Sequence, residues 1–296
     1  MSIQVQRLLE RPIITPDMDE SLGGNINGPS LIKVPEWLDN PLGKYYLYFA
    51  HHSGKFIRMA YSDQLEGPWH IYKQGTLQLA SSYCRGHIAS PDVHIDEANR
   101  RIIMFYHGVP QEPPGNIPQE TKVALSSDGL HFTASADSLG WAYWRSFQWG
   151  STYYGITMPG NLYRSTNWLG PYQAGADLFR DINVWQRHPA VKIHGSTLYL
   201  FYSIKEDKPE HIVMSRIPLT DNWLEWRVTS YESVLMPELL YEGADLPLEP
   251  SRTGAIHTRV RQLRDPGIFE EDGDTYLLYS IAGESGLAIA RIAGFD

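Results

Sequence analysis

The sequence predicts an all-β fold, a five-bladed β-propeller with four-stranded antiparallel blades, and three observations carry that reading. The first is a recurring phrase in which a strand ends near serine, turns, and meets Gly-Pro-aromatic. It reads Ala60-Tyr61-Ser62-Asp63-Gln64-Leu65-Glu66-Gly67-Pro68-Trp69 and again Leu162-Tyr163-Arg164-Ser165-Thr166-Asn167-Trp168-Leu169-Gly170-Pro171-Tyr172, with looser copies from Ser126 and from Val213. The second is a set of aromatic and β-branched runs bounded by Gly, Pro, Asn or Asp: Lys44-Tyr45-Tyr46-Leu47-Tyr48-Phe49-Ala50, Arg101-Ile102-Ile103-Met104-Phe105-Tyr106, Thr197-Leu198-Tyr199-Leu200-Phe201-Tyr202 and Thr275-Tyr276-Leu277-Leu278-Tyr279-Ser280. Such residues suit pleated, half-buried surfaces. The third is that no window of about a dozen residues carries a capped 3.6-residue apolar period, so helices are expected to be few and short. A unit this small cannot bury its own apolar face, so the copies must stack or close into a ring.

Aligning the runs gives the elements in order. The first unit starts near Gly28-Pro29-Ser30-Leu31-Ile32, the second near Ser90-Pro91-Asp92-Val93-His94-Ile95, and the fourth near His188-Pro189-Ala190-Val191-Lys192-Ile193. The fifth starts near Asp265-Pro266-Gly267-Ile268-Phe269, and the third is degenerate, beginning near Arg145-Ser146-Phe147-Gln148-Trp149. One domain results, with blades expected over 21–80, 88–138, 141–175, 186–237 and 262–292. The fifth copy ends at Ala288-Ile289-Ala290-Arg291-Ile292 without an outermost strand, and the N-terminal segment 3–14 is expected to supply it and close the ring. Radial repetition leaves only short, protected edges. An open two-sheet sandwich is the alternative.

Composition narrows the function. The 296 residues carry a net charge of -9 with no lysine or arginine run, which argues against nucleic acid or an anionic membrane as partner. The single cysteine, Cys84, cannot form an internal disulfide. The opening residues hold no basic stretch followed by an apolar run, and a cytoplasmic location is expected. Nothing in the sequence sets the oligomeric state.

In a propeller the innermost strand of each blade begins at the central funnel, and the hairpin joining its second and third strands opens on the same face. Strand starts then contribute Asn27, Asp92, Arg145 with Gln148, His188 with Arg187, and Asp265 with Arg264. Hairpins contribute His51, His52, His107 with the loop 108–120, Lys205-Glu206-Asp207, and Gly283-Glu284-Ser285, while the long connection 236–263 brings Glu242, Asp245, Glu249, Arg252 and His257. Excess loop length on one face of a rigid scaffold is where binding and catalysis concentrate.

With Leu263-Arg264-Asp265-Pro266-Gly267-Ile268-Phe269 and Ser90-Pro91-Asp92 looking like its inner-strand motifs, the chain resembles the five-bladed propeller glycosidases, the group that includes glycoside hydrolase families 43, 32, 68, 117 and 130. The resemblance implies glycosidase activity on an oligosaccharide, acidic residues from different blades around the sugar, and no required cofactor. It leaves open a central structural Ca²⁺, which some family 43 propellers carry. Two departures stand out: Asn27-Gly28-Pro29 where several families carry a catalytic aspartate, and His188-Pro189 where family 43 typically has a glutamate. Family 117 enzymes are thought to use a histidine acid, a role that His188 matches in position.

Glycoside cleavage needs a proton donor for the leaving oxygen and a base or nucleophile on the opposite ring face. Asp92 and Asp265 are the expected carboxylates, converging across the funnel, although an aspartate beside proline also caps turns. His188 and Glu249 compete as proton donor, the first by position and the second by conventional chemistry. Substrate contacts are expected from Asn27, His51, His52, His107, Arg145, Gln148, Arg187, Glu242, Arg252, His257, Arg264 and Glu284. No HExxH or CxxC spacing is present, so a catalytic metal is not indicated. Arg85, Arg145, Arg187, Arg252 and Arg264 gather on the same face; their planar forks suit carboxylate, sulfate or phosphate, or else pair with neighbouring acids. The expected function is an exo-acting glycoside hydrolase on a small oligosaccharide, with an anionic sugar in view. The alternatives are a phosphorylase or transferase, a polysaccharide lyase, and a non-catalytic carbohydrate-binding propeller. Strand starts that differ from blade to blade favour one central site over repeated lectin pockets.

Overall fold

The computed structural model describes residues 2–112 and 118–295 as a ring of five antiparallel sheets. The chain opens with β1 (Gln4–Arg7) and then builds the first blade from β2 (Asn27–Lys33), β3 (Tyr45–Ala50), β4 (Phe56–Ser62) and β5 (His70–Gln78). The second uses β6 (Cys84–Asp96), β7 (Arg101–Pro110) and β8 (Glu120–Ser126), with an outer edge shared by two short strands, β9 (Thr133–Ala134) and β10 (Gly140–Trp141). The third is β11 (Arg145–Trp149), β12 (Thr152–Ile156), β13 (Asn161–Ser165) and β14 (Gln173–Asp177). The fourth is β15 (Gln186–His194), β16 (Thr197–Ile204), β17 (Ile212–Pro218) and β18 (Glu232–Leu235). The fifth is β19 (Arg264–Glu271), β20 (Asp274–Ser280) and β21 (Leu287–Ala293), completed by β1. Helix among the described residues is confined to single 3-10 turns. Residues 113–117 of the expected funnel loop 108–120 lie outside the described residues.

The second strands read as unbroken apolar runs because each blade is covered on both faces by its neighbours. Along β3, Tyr45, Leu47 and Phe49 pack toward the fifth blade with Phe269, Leu278 and Ile289. The intervening Tyr46 and Tyr48 pack toward the second blade with Val93, Met104 and Tyr106. The alternation recurs in β16, where Leu198, Leu200 and Tyr202 face the third blade while Tyr199 and Phe201 face the fifth. Buried apolar surface thus lies in five seams between blades, leaving the ring axis free for polar chemistry.

Closure joins the two chain ends: β1 pairs antiparallel with β21 from Gln4↔Ala293 to Arg7↔Ala290. Arg7 fastens this joint, its Nε and Nη2 donating to Glu242 at 2.7 and 2.9 Å. Glu242 also accepts from the Tyr279 hydroxyl at 3.0 Å and from the backbone N–H groups of Glu238 and Leu239. Sequence reasoning set Glu242 against the substrate. Its carboxylate is instead consumed in fastening the ring, behind the fifth blade.

Candidate functional site

Four of the five innermost strands break their pairing at the same point. The ladder jumps from Asn27↔Ala50 to Ser30↔Tyr48, from Ala89↔His107 to Asp92↔Phe105, from Arg187↔Ser203 to Ala190↔Phe201, and from Arg264↔Ser280 to Gly267↔Leu278. A proline sits in each break, where a missing N–H ends the ladder. The residue before each proline takes a left-handed backbone: Gly28 at φ 63, Ser90 at 48, His188 at 44 and Asp265 at 50 degrees. Only glycine adopts this without cost; for the other three it stores on the order of 1–3 kcal/mol, a level of strain that clusters at functional sites. Gly28 has a second constraint, since a Cβ there would lie 3.1 Å from the Ser90 Cα. The third blade has no such proline, and β11 pairs with β12 without a break. Just before β11, Tyr143, also left-handed at φ 61, places its ring 4.3 Å from His107 and 4.7 Å from His188.

These residues enclose a small void of about 10 Å³ lined by Asn27, Ser90, His107, Tyr143, His188 and Asp265, among others. His188 and Asp265 are 4% and 2% exposed, and His188 Nδ1 lies 2.7 Å from Asp265 Oδ1. The contact is close but not an aligned hydrogen bond, whereas Ser280 Oγ donates to Asp265 Oδ2 at 3.0 Å. Behind the pair runs a buried chain of ions. Arg187 Nη1 meets Glu210 at 3.0 Å, Arg264 Nε meets the same carboxylate at 3.1 Å, and Arg264 Nη1 reaches Glu284 at 3.0 Å. Ser203 Oγ donates to Glu210 at 2.6 Å, and Glu284 accepts from Asn25 and Asn27 with the His52 ring 3.5 Å away.

Burial raises the pKa of Asp265, but contact with the His188 ring and the charges of Arg187 and Arg264 outweigh it and hold the carboxyl well below the usual range. His188 is lowered by burial, which prevails over the opposing pull of Asp265. Burial raises Tyr143, helped by the Asp265 charge, so its phenol keeps its proton. Burial pushes His107 far down, with His87 and His52 adding to it, and neither of its ring nitrogens has a hydrogen-bond partner among the described residues.

A pH dependence of stability follows. His51, pushed down to about 4 by burial and Arg58, and His87, His107 and His188, all lowered, stay neutral in the fold. Below about pH 6.5 the unfolded chain takes up protons that the fold refuses, so stability falls with pH, by at most about 1.4 kcal/mol per unit for each histidine. Asp265, Asp92 and Glu284 are depressed carboxyls and add losses only below about pH 4.5. His211, raised by Asp207 despite its burial, opposes this in part. After allowing for it and discounting the half-exposed His51 and His87, urea unfolding is expected to give a free energy about 2–4 kcal/mol lower at about pH 5 than at about pH 7.5. A flat profile across that range would refute the assignment.

Several residues expected at the funnel lie elsewhere. Asp92 follows the proline, two residues beyond Ser90, where the ladder resumes, so the second-blade counterpart of Asp265 is Ser90. Asp92 Oδ2 meets His94 Nε2 at 2.8 Å and accepts from the Ser146 backbone N–H at 2.7 Å. With Arg145 and the exposed Gln148 it lines a cavity of about 460 Å³ along the far ends of the inner strands, and does not line the funnel void. Glu249 is exposed on the connection 236–263, as are Arg252 and His257, apart from the Arg252 carbonyl that accepts from Arg187 and the His257 ring near His51. Arg85 donates to the Pro110 carbonyl. Ser90, Asn25 and Glu210 belong to the cluster without having been expected there. Aligning the units on their prolines would have found Ser90.

Calcium is a poor fit here. It takes six to eight oxygen ligands, whereas the void is lined by four imidazoles and a single carboxylate, and no group of three or more ligating side chains forms among the described residues.

Beside the void lies a cavity of about 290 Å³ that shares His52, Tyr143 and His188 with it. Trp141, Trp185, Arg187 and Lys205 form its sides, and Pro118 and Gln119 from one long loop and Thr253 and Gly254 from the other contribute to its wall.

No family model matches the sequence. Among solved structures the chain is similar to CoXyl43, a GH43 β-xylosidase/α-arabinofuranosidase from a compost microbial metagenome in complex with xylotriose, with TM-score 0.62 at 12% identity, covering 98% of this chain and 94% of that one. An exo-1,5-α-L-arabinanase from a bovine ruminal metagenomic library gives TM-score 0.59 at 12% identity over 92% and 94% of the two chains. The α-L-arabinanase of Cellvibrio cellulosa gives 0.56 at 14% over 90% and 91%. These likenesses confirm the five-bladed propeller fold. In sequence the chain is 35% identical, over 299 residues, to uncharacterized protein R118 of Acanthamoeba polyphaga mimivirus, covering 90% of this chain and 83% of the relative. The chain therefore belongs to the family of that mimivirus protein, built on the propeller fold that the family 43 glycosidases share.

Proposed function

We propose that this protein is a glycoside hydrolase that cleaves a small oligosaccharide in exo fashion at the funnel, with His188 and Asp265 as its acid–base unit. The carrying observation is the buried His188–Asp265 contact, set at strained, equivalent positions of adjacent blades and facing the void. With Nδ1 turned to Asp265, Nε2 is the nitrogen left for a substrate. His188 is neutral at rest, so the reaction draws on the fraction protonated at Nε2, which gives its proton to the leaving oxygen as the bond to the anomeric carbon breaks. Asp265, held ionised, stabilises the imidazolium. Water supplies the hydroxyl to the anomeric carbon and returns a proton to the neutral imidazole. The part that Pro118, Gln119, Thr253 and Gly254 take in the cavity wall supports an exo pocket, and the fold shared with enzymes named as a xylosidase and arabinanases supports the bond type.

One observation favours a second reading. Asp265 is the lone carboxylate among the described residues lining the void and the adjoining cavity, whereas hydrolases of this chemistry generally use two. The Tyr143 ring against His188 suits elimination from a uronate, with His188 taking the proton beside the carboxylate and Tyr143 protonating the leaving oxygen. Incubation with xylo-, arabino- and uronate-containing oligosaccharides separates the readings. Hydrolysis releases saturated reducing ends, elimination releases an unsaturated product absorbing in the ultraviolet, and release of neither from any substrate would sink both.

A further inference from the structure

We propose that the 290 Å³ cavity beside the void is a subsite for an acidic sugar, a pyranose ring bearing a carboxylate or sulfate, with Lys205 reading the charge. This deepens the glycan-cleaving reading and rests on it for the sugar ring. The arginines that first suggested an anionic ligand do not serve that purpose. Arg187 is taken by Glu210 and the Arg252 carbonyl, Arg264 by Glu210, Glu284 and Gln262, and Arg145 lines the far cavity.

Lys205 differs from them. Its nearest carboxylate is Glu206, 3.4 Å away on a side chain 71% exposed, so that pairing is weak and screened. Its ammonium sits 5.0 Å from the Trp185 ring centroid, and its backbone N–H donates to the Trp185 carbonyl at 3.1 Å, which ties the cation to the cavity wall. Trp185 is 55% exposed, an unusual amount for a large aromatic side chain, and with Trp141 it lines the cavity. Aromatic faces of this kind stack on apolar ring faces. Among the described residues lining the cavity Lys205 is the cation left after Arg187 pairs with Glu210, and there is no carboxylate, although the chain as a whole carries -9. A local reversal of sign in an acidic protein selects for a negative ligand. The cavity volume accommodates one sugar ring, and its junction with the void at His52, Tyr143 and His188 sets that ring beside the proposed acid–base unit.

Calorimetry with methyl β-D-glucuronide, methyl β-D-glucoside and its 6-sulfate tests the inference on the whole chain. The glucuronide or the sulfate is expected to bind about tenfold tighter than the glucoside at low salt, with the difference shrinking as salt rises. Which anion gains most identifies carboxylate or sulfate as the group read. Lys205→Met should abolish the difference while leaving glucoside affinity unchanged, Lys205→Arg should preserve it, and Trp185→Ala should weaken all three. Equal wild-type affinity for charged and neutral probes, a preference that survives Lys205→Met, or no binding of any probe would overturn the subsite. The readout is binding, so the two proposals fail separately. Charge preference without cleavage of any oligosaccharide removes the glycosidase reading alone, and cleavage of neutral substrates without charge preference removes the subsite alone.

Discussion

Asp265→Asn is expected to leave the protein folded and to lower turnover by about two to four orders of magnitude on whichever oligosaccharide it cleaves. Asparagine is the appropriate replacement because residue 265 sits at φ 50, and asparagine accepts a left-handed backbone far better than alanine. Its amide still takes the Ser280 hydroxyl bond, so lost activity reports on charge and not on collapse of the site. Without the carboxylate, His188 loses the neighbour that raises its pKa, while its burial and Arg187 continue to lower it. If His188 protonates the leaving group, the remaining activity must move to lower pH, because the imidazole is protonated only there. Turnover within about threefold of wild type, with an unmoved pH profile, would remove Asp265 from the acid–base unit. His188→Asn, at φ 44, tolerates the same backbone and serves as the companion variant.

The ring was readable because its determinants are local. Aromatic and branched residues at consecutive positions of β3, β7, β16 and β20 announce strands covered on both faces, and Gly-Pro-aromatic turns mark their outer edges. The missing outer strand of the fifth blade told where the N-terminal residues must go, and β1 lies there. The site was less readable because its geometry depends on a register offset of two residues. In the fourth and fifth blades the functional position precedes the proline, but in the second the eye is drawn to Asp92, which follows it. That shift carries the carboxylate past the ladder break and down the channel. Glu242 and Glu210 teach the same lesson from the other side. Both are buried glutamates in connections, and the sequence cannot say which arginine reaches which: Glu242 met Arg7 at the closure, and Glu210 met Arg187 and Arg264 at the funnel. Nothing in the sequence places Tyr143 between His107 and His188. A left-handed tyrosine is set by the rings it packs between, and those come from other blades.

Glu210→Gln is expected to cost about 3–5 kcal/mol of folding stability, the largest loss of any single change in the funnel. The carboxylate is fully buried and lies between two arginine side chains, 3.0 Å from Arg187 and 3.1 Å from Arg264, with Ser203 completing its hydrogen bonding. Arg264 keeps Glu284 when Glu210 is neutralised, but Arg187 keeps only the Arg252 carbonyl as hydrogen-bond acceptor and the charge of Asp265 nearby. A buried guanidinium without its paired counter-ion bears most of its desolvation cost uncompensated, and the low local dielectric enlarges that cost. Thermal unfolding should shift down by roughly 5–15 °C. The double variant Glu210→Gln with Arg187→Met removes the stranded charge and should recover most of the loss, since replacing a buried pair is far milder than breaking one. If Glu210→Gln alone costs less than about 1 kcal/mol, water must reach Arg187 in the folded state, and the buried ion chain would not be what holds the fourth and fifth blades in register beneath His188 and Asp265.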